Sequence, residues 1–191
     1  MKSESLSFKV EVHDKDGRLL KRVQGPSESY VRQWNQLINI LARTANATIV
    51  DTGGTGRGVT YTSYDMNAPE SASLGQSSWG TVVGRGNTAV TINDYALETQ
   101  CGQGTGANQV LYRELQYTAP AVVGSTCSWT VKRVFVNQSG DTISIAEIGF
   151  YVIMHTAAAY RAMAFRDVLG PAVDVPDGGA ITVTYEVKST V

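Results

Sequence analysis

The stretch Ala180-Ile181-Thr182-Val183-Thr184-Tyr185-Glu186-Val187-Lys188 decides the fold class. Ile181, Val183, Tyr185 and Val187 share one face, and Thr182, Thr184, Glu186 and Lys188 share the other, which is the period of a strand with one buried and one wet side. The other end of the chain repeats the pattern: Leu6, Phe8, Val10 and Val12 alternate with Ser7, Lys9 and Glu11. Asp14-Lys15-Asp16-Gly17 supplies turn chemistry, so Arg18 to Val23 is expected to return antiparallel as a hairpin.

Between Pro26 and Asn46 the period changes. Tyr30, Trp34, Leu37, Ile38, Leu41 and Ala45 recur at three- and four-residue spacing, with Pro26-Ser27 offering an N-cap. This predicts one helix with an apolar face that covers a sheet. From Ala47 onward Thr, Val, Ser and Gly dominate. Strands are predicted at 48–50, 59–62, 79–83, 89–97, 109–118, 128–136, 142–154, 162–168 and 180–188. Turn residues separate most of them: Arg85-Gly86-Asn87, Gly102 with Gly104 and Gly106, Ser139-Gly140-Asp141, and Pro176-Asp177-Gly178-Gly179. The segment Ser63 to Ser78 lacks periodicity and reads as a surface loop. The expectation is therefore one mainly β domain over residues 1–191, an antiparallel β-sandwich or barrel of jelly-roll type. Within it, residues 1–47 form a hairpin and a packed α-helix, and residues 48–191 form the body.

Composition bounds the function. The 191 residues are 42% hydrophobic and 17% charged, and 16 Lys+Arg against 17 Asp+Glu give a net charge of -1. No basic excess exists to neutralise a phosphate backbone, so nucleic acid is not an expected partner. No apolar run has the length of a bilayer span and residues 1–30 hold no signal-like core, so a cytosolic origin without membrane association is expected. Cys101 and Cys127 allow at most one bridge. Asn46-Ala47-Thr48 and Asn137-Gln138-Ser139 match the glycosylation acceptor pattern but carry little weight without a secretory signal.

Candidate chemistry is sparse. Ile49-Val50-Asp51-Thr52-Gly53 has the look of an aspartic-protease turn, which would need a homodimer to bring two Asp51 carboxylates together. A strand entering the Gly-rich turn Gly53-Gly54-Thr55-Gly56-Arg57-Gly58 is the plainer reading. No Lys-Ser or Lys-Thr follows these glycines, which excludes a P-loop, and Gly84-Arg85-Gly86 opens a predicted strand, which removes the dinucleotide mechanism. Asp14 and Asp16 beside Gly17 outline the start of a calcium loop that lacks its closing Glu. His13 and His155 sit in no metal-ligating cluster, so neither metal nor cofactor is expected. Charged residues inside strands read as structural pairs: a two-residue Ser139-Gly140 turn would set Lys132 opposite Glu147, a three-residue loop would set Arg133 there, and Arg161, Arg166 and Asp167 would pair within the chain or across subunits.

Three segments carry a resemblance. They are Val82-Val83-Gly84-Arg85-Gly86-Asn87-Thr88-Ala89-Val90-Thr91-Ile92-Asn93-Asp94-Tyr95-Ala96-Leu97; Phe135-Val136-Asn137-Gln138-Ser139-Gly140-Asp141-Thr142-Ile143 with Glu147-Ile148-Gly149-Phe150-Tyr151; and Arg166-Asp167-Val168-Leu169 with Val175-Pro176-Asp177-Gly178-Gly179. Together they resemble a family of tailed-bacteriophage virion proteins encoded among head and tail structural genes, and the Glu-Ile-Gly-Phe-Tyr stretch is similar to tail-fibre domains. The resemblance implies a non-enzymatic virion component, assembled in the host cytoplasm, that self-associates and docks on other virion proteins such as the major capsid or tail proteins. Head decoration is the preferred position, with a neck, tail or fibre-base ring as the alternative. Trp79, Arg85, Tyr64, Arg161 and Arg166 are the candidate interface residues. A glycan-binding sandwich stacking sugars on Trp79, Tyr61, Tyr64 or Tyr95 is a separate alternative, with Trp34 and Trp129 assigned to the core. The dimeric protease using Asp51 is the enzymatic one.

Overall fold

The computed structural model describes residues 3–27, 30–43, 46–59, 66–67, 74–155 and 159–191. Its elements in chain order are β1 (Ser3–His13), β2 (Leu19–Pro26), α1 (Arg32–Arg43), β3 (Ala47–Val50), β4 (Gly56–Val59), β5 (Met66–Asn67), β6 (Gly80–Gly84), β7 (Gly102–Gln103), β8 (Gln109–Tyr117), β9 (Ala121–Val123), β10 (Thr126–Val136), β11 (Ile143–His155), β12 (Ala159–Val175) and β13 (Ala180–Thr190).

Two sheets face each other as an open sandwich, not a closed barrel. The first runs β2-β1-β13-β10-β8-β7, with β9 also on β10, and is antiparallel except for the short parallel pair β7–β8. The second is built on β11, flanked by β12 on one side and by β5 and β6 on the other. A separate hairpin pairs β3 with β4. The expected alternation sets the register: Val10 pairs with Val183, Phe8 with Tyr185 and Val12 with Ile181, while β10 brings Val131 beside Tyr185 and Phe135 beside Ile181. These side chains form the inner face and bury one continuous core with Ile148, Phe150, Met163 and Phe165 of the second sheet. Aromatic contacts close the gap: Phe165 meets Tyr185 edge-on at 4.7 Å between ring centroids and stacks on Phe150 at 5.0 Å.

The helix is shorter than its period suggested. Ser27 does not cap it; the Ser27 hydroxyl instead donates to Asp167 Oδ2 at 2.9 Å. The helix begins after Val31, whose N–H donates to Ala164 O, and the Arg32 N–H donates to Ile92 O, so backbone carbonyls satisfy the entry that a side chain was expected to cap. Gln33, Leu37 and Ile40 are buried, whereas Ile38, expected on the apolar stripe, is 44% exposed. Tyr30, Val31 and the helix lie along the outer edge of β12, where Thr52 N also donates to Arg161 O.

Three further expectations are corrected. Residues 89–97 form a loop, not a strand. Ser139-Gly140 is not a hairpin, because β10 and β11 belong to different sheets and the turn arches between them. Neither Lys132 nor Arg133 can therefore stand opposite Glu147, whose strand neighbours are Gly84 and Val168. The arch is held by Asn137, which is fully buried: Nδ2 donates to Asp141 O and Val175 O, and Oδ1 accepts from Ser139 N. Its own carbonyl accepts from Gly178 N in the neighbouring β12–β13 arch. The glycosylation-like Asn137 is thus a clamp between the two crossovers. Of the segment 63–78, residues 66–67 are a short strand on β11 and 74–78 lead into β6; the rest lies outside the described residues.

Candidate functional site

The most organised polar site is the loop from Arg85 to Gln100, laid over the outer face of β11. Its two ends pair with each other: Arg85 N donates to Thr99 O, Cys101 N to Val83 O, and Gly84 bridges Gln100. A loop of this length needs an anchor, and Glu147 supplies it from the middle of β11. The carboxylate is fully buried. Oε1 accepts from Gly86 N at 3.0 Å and Thr99 N at 2.7 Å, while Oε2 accepts from Glu98 N at 3.0 Å and Arg166 Nε at 2.9 Å. Four donors on two oxygens make the burial of this charge tolerable.

Arg166, on the adjacent strand β12 and 2% exposed, carries the network onward. Its Nη1 donates to Asp94 Oδ2 at 2.7 Å and Nη2 lies 3.8 Å from Glu98. Asp94 in turn accepts from Thr91 N and Oγ1, and Glu98 accepts from Thr88 N and Oγ1. Burial pushes the Asp94 carboxyl up, but the Thr91 hydrogen bonds and the Arg166 guanidinium outweigh it and hold Asp94 below the usual carboxylate range. Burial likewise opposes the Arg166 charge, and its Asp94 and Glu147 partners more than compensate, raising its pKa. Backbone and hydroxyl donors of Thr88 hold Glu98 low as well. Tyr151 and Gly149 complete the seat: Leu97 N donates to the Tyr151 hydroxyl at 2.7 Å, and Leu97 lies so close over Gly149 that a Cβ there would come within 2.9 Å of it. Ile92, 57% exposed, and Tyr95, 44% exposed, stand out at the loop's surface.

Two other buried charges tie the sandwich together. Asp167 Oδ2 accepts from Tyr185 Oη across the two sheets at 3.0 Å and from Ser27. Arg133 is fully buried and donates to four backbone carbonyls: Nε to Arg113 O, Nη1 to Trp79 O and Thr81 O, and Nη2 to Gln76 O. Carbonyl dipoles take the place of a carboxylate there, and burial lowers the guanidinium pKa to about 10. The result fastens the run into β6 onto the first sheet.

The expected interface residues are scattered. Trp79 is half-buried, with the half-buried Arg161 guanidinium 4.8 Å from its ring centroid. Arg85 is exposed at the start of the loop, Arg166 is buried beneath it, and Tyr64 lies outside the described residues, as does Tyr61. Asp51 is 5% exposed and accepts from Gly53 N and Thr55 N, while Arg57 Nε holds its other oxygen at 2.7 Å. Burial works against this ionised form, yet the Arg57 bond and the two backbone donors keep the Asp51 carboxyl below its ordinary pKa. The Asp-Thr-Gly stretch is thus a hairpin tip closed on its own carboxylate. Asp14 does the same at the first hairpin, accepting from Asp16 N and Arg18 N.

Among the described residues no group of His, Cys, Asp and Glu is placed to hold a metal ion, and no described helix is long and apolar enough to cross a membrane. Cys101 and Cys127 are unbridged; Cys101 is buried and its thiol is pushed up to about 11. A groove of about 700 Å³ opens between β2 and the loop, lined by Phe8, Val23, Tyr30, Val90, Ile92 and Asp167. No family model, curated protein or solved structure matches the chain. The strand positions of Glu147 and Arg166 singled them out in the sequence, because charges in apolar strands need partners. Asp94, Glu98 and the threonines gave no such signal.

Proposed function

We propose that this protein is a structural component of a tailed-phage virion that works by self-association and by docking on other virion proteins, with decoration of the head shell as its position. The observation that carries the reading is the use of the buried charges. Glu147, Arg166, Asp167 and Arg133 each bind backbone or side-chain groups of distant segments, and so rigidify loops on a sandwich. A cement protein contributes in this way: it presents a fixed surface and gains its energy from interface area, typically above ~1,000 Å². The anchored loop with Ile92 and Tyr95 is such a surface, and the segment resemblance to phage virion proteins points the same way.

The test is cosedimentation of the purified protein with isolated phage heads and, separately, with tails. Saturable binding to heads supports decoration. Binding to tails alone moves the protein to the neck or tail. Binding to neither contradicts the proposal.

A further inference from the structure

Edge strands decide which sheet surfaces can meet another chain. The edge β2 carries Lys21, Arg22 and Pro26, and a bulge interrupts its pairing between Val12 and His13. The edge of β12 accepts hydrogen bonds from Val31, Thr52 and the Lys21 ammonium. The edge of β6 is taken by residues 99–101, and β8 is covered by β7 at one end and bears Arg113 and Glu114 at the other. The three-residue strand β9 differs from all of these. It continues along the same side of β10 as β8, opposite β13, within a run that holds no charged residue from Leu115 to Val131. Val122 is 73% exposed and Val123 79% exposed, and Val191, whose N–H donates to Ser125 O beside them, is 80% exposed.

We infer that β9 is a self-association edge, on which a second copy of this chain pairs antiparallel about a two-fold axis through Val122. The inference rests on the self-association reading above and names its edge. Val123 pairs with Thr126 across the two-residue turn Gly124-Ser125, where Gly124 has φ +60°. That closing pair is hydrogen-bonded in such a hairpin, so the alternation turns the N–H and C=O of Val122 away from β10 toward the open side. A second β9 then satisfies them reciprocally, Val122 N–H to the partner's Val122 C=O and the reverse, and sets Ala121 against the partner's Val123. An uncharged strand meets its own copy without the like-charge repulsion that Lys21 and Arg22 would impose on a self-paired β2. Three valines per copy bury far less than the ~1,200 Å² at the lower end of stable interfaces, so the pair is weak in dilute solution and forms at high local concentration, as on an assembled shell.

The geometry gives a direct test in the full-length protein with Cys127→Ser. Residues in a hydrogen-bonded antiparallel pair have Cα atoms about 5.5 Å apart, within disulfide reach, whereas the two copies of residue 123 would be more than ~7 Å apart and out of reach. Under mild oxidation at high protein concentration, Val122→Cys is expected to form covalent dimers and Val123→Cys to stay monomeric. Sedimentation is expected to show Val122→Lys weakening the dimer by at least about tenfold. Equal cross-linking at both positions, or an oligomer that Val122→Lys leaves unchanged, overturns the β9 edge while self-association stands. A wild-type chain that remains monomeric at millimolar concentration, with no cross-link at 122, overturns both.

Discussion

Replacing Glu147 by Gln probes the anchor of the 85–100 loop with almost no change of shape. In the native chain both carboxylate oxygens accept two donors, and all four are N–H groups: Gly86, Thr99, Glu98 and Arg166 Nε. A glutamine has one acceptor oxygen and one NH2, so whichever way it turns, two donors face a donor. Arg166, 2% exposed, also loses its most buried counter-charge and keeps only Asp94 at 19% side-chain exposure and the more distant Glu98. Breaking one side of a buried pair costs about 3–5 kcal/mol, and the retained oxygen places Gln at the lower end. For a chain of this length ~3 kcal/mol lowers Tm by roughly 6–12 °C. The assay is thermal unfolding by near-ultraviolet circular dichroism, together with hydrogen exchange at the Gly86, Glu98 and Thr99 amides. Those three are expected to exchange faster than the β1, β13 and β10 amides of the other sheet. A Tm within ~2 °C of wild type, with the three amides still protected, would refute the anchoring role.

Three more outcomes follow from the same contacts. Because the folded pKa of Asp94 lies below its unfolded value, its contribution is complete above the ordinary carboxylate pKa near ~4 and is lost as pH falls through the folded value. Asp94→Asn is therefore expected to flatten the acid limb of a Tm-versus-pH profile, and a limb of unchanged steepness would count against it. Gly84→Ala would place a Cβ 2.7 Å from the Thr99 carbonyl oxygen, so a loss of about 1–3 kcal/mol in urea unfolding is expected, against no loss if the loop ends are loosely held. Asp51→Asn keeps an acceptor for Gly53 and Thr55 and gives up the charge-assisted bond from Arg57, costing about 1–3 kcal/mol. Wild type is expected to leave a peptide pool intact from acid to neutral pH, and cleavage that vanishes in Asp51→Asn would restore the protease reading.

The strands that pair through side-chain alternation were legible in the sequence. β1 and β13 read correctly because each has one face on the core and one in water, and a one-residue slip would expose Val10, Val183 and Tyr185 together. The run 89–97 misled because Val90 and Ile92 alternate with Thr91 as in a strand; neither is fully buried, and Thr91 bonds to Asp94 within the loop. The Ser139-Gly140 turn misled for a topological reason. A hairpin and an arch share the same turn residues, and what distinguishes them is Asn137 reaching Val175, 38 residues away. Glu147 and Arg166 were visible as charges out of place, and their pairing follows from β11 and β12 being neighbours. Their loop partners, 48 to 72 residues distant, had no local mark.

The measurement that bears most directly on a virion role is quantitative mass spectrometry of density-purified particles from a lysate in which this chain is produced with its neighbouring genes. The protein is expected to copurify with particles at many copies each and to remain after a salt wash. Its absence from purified particles, with abundant soluble protein in the same lysate, would contradict it.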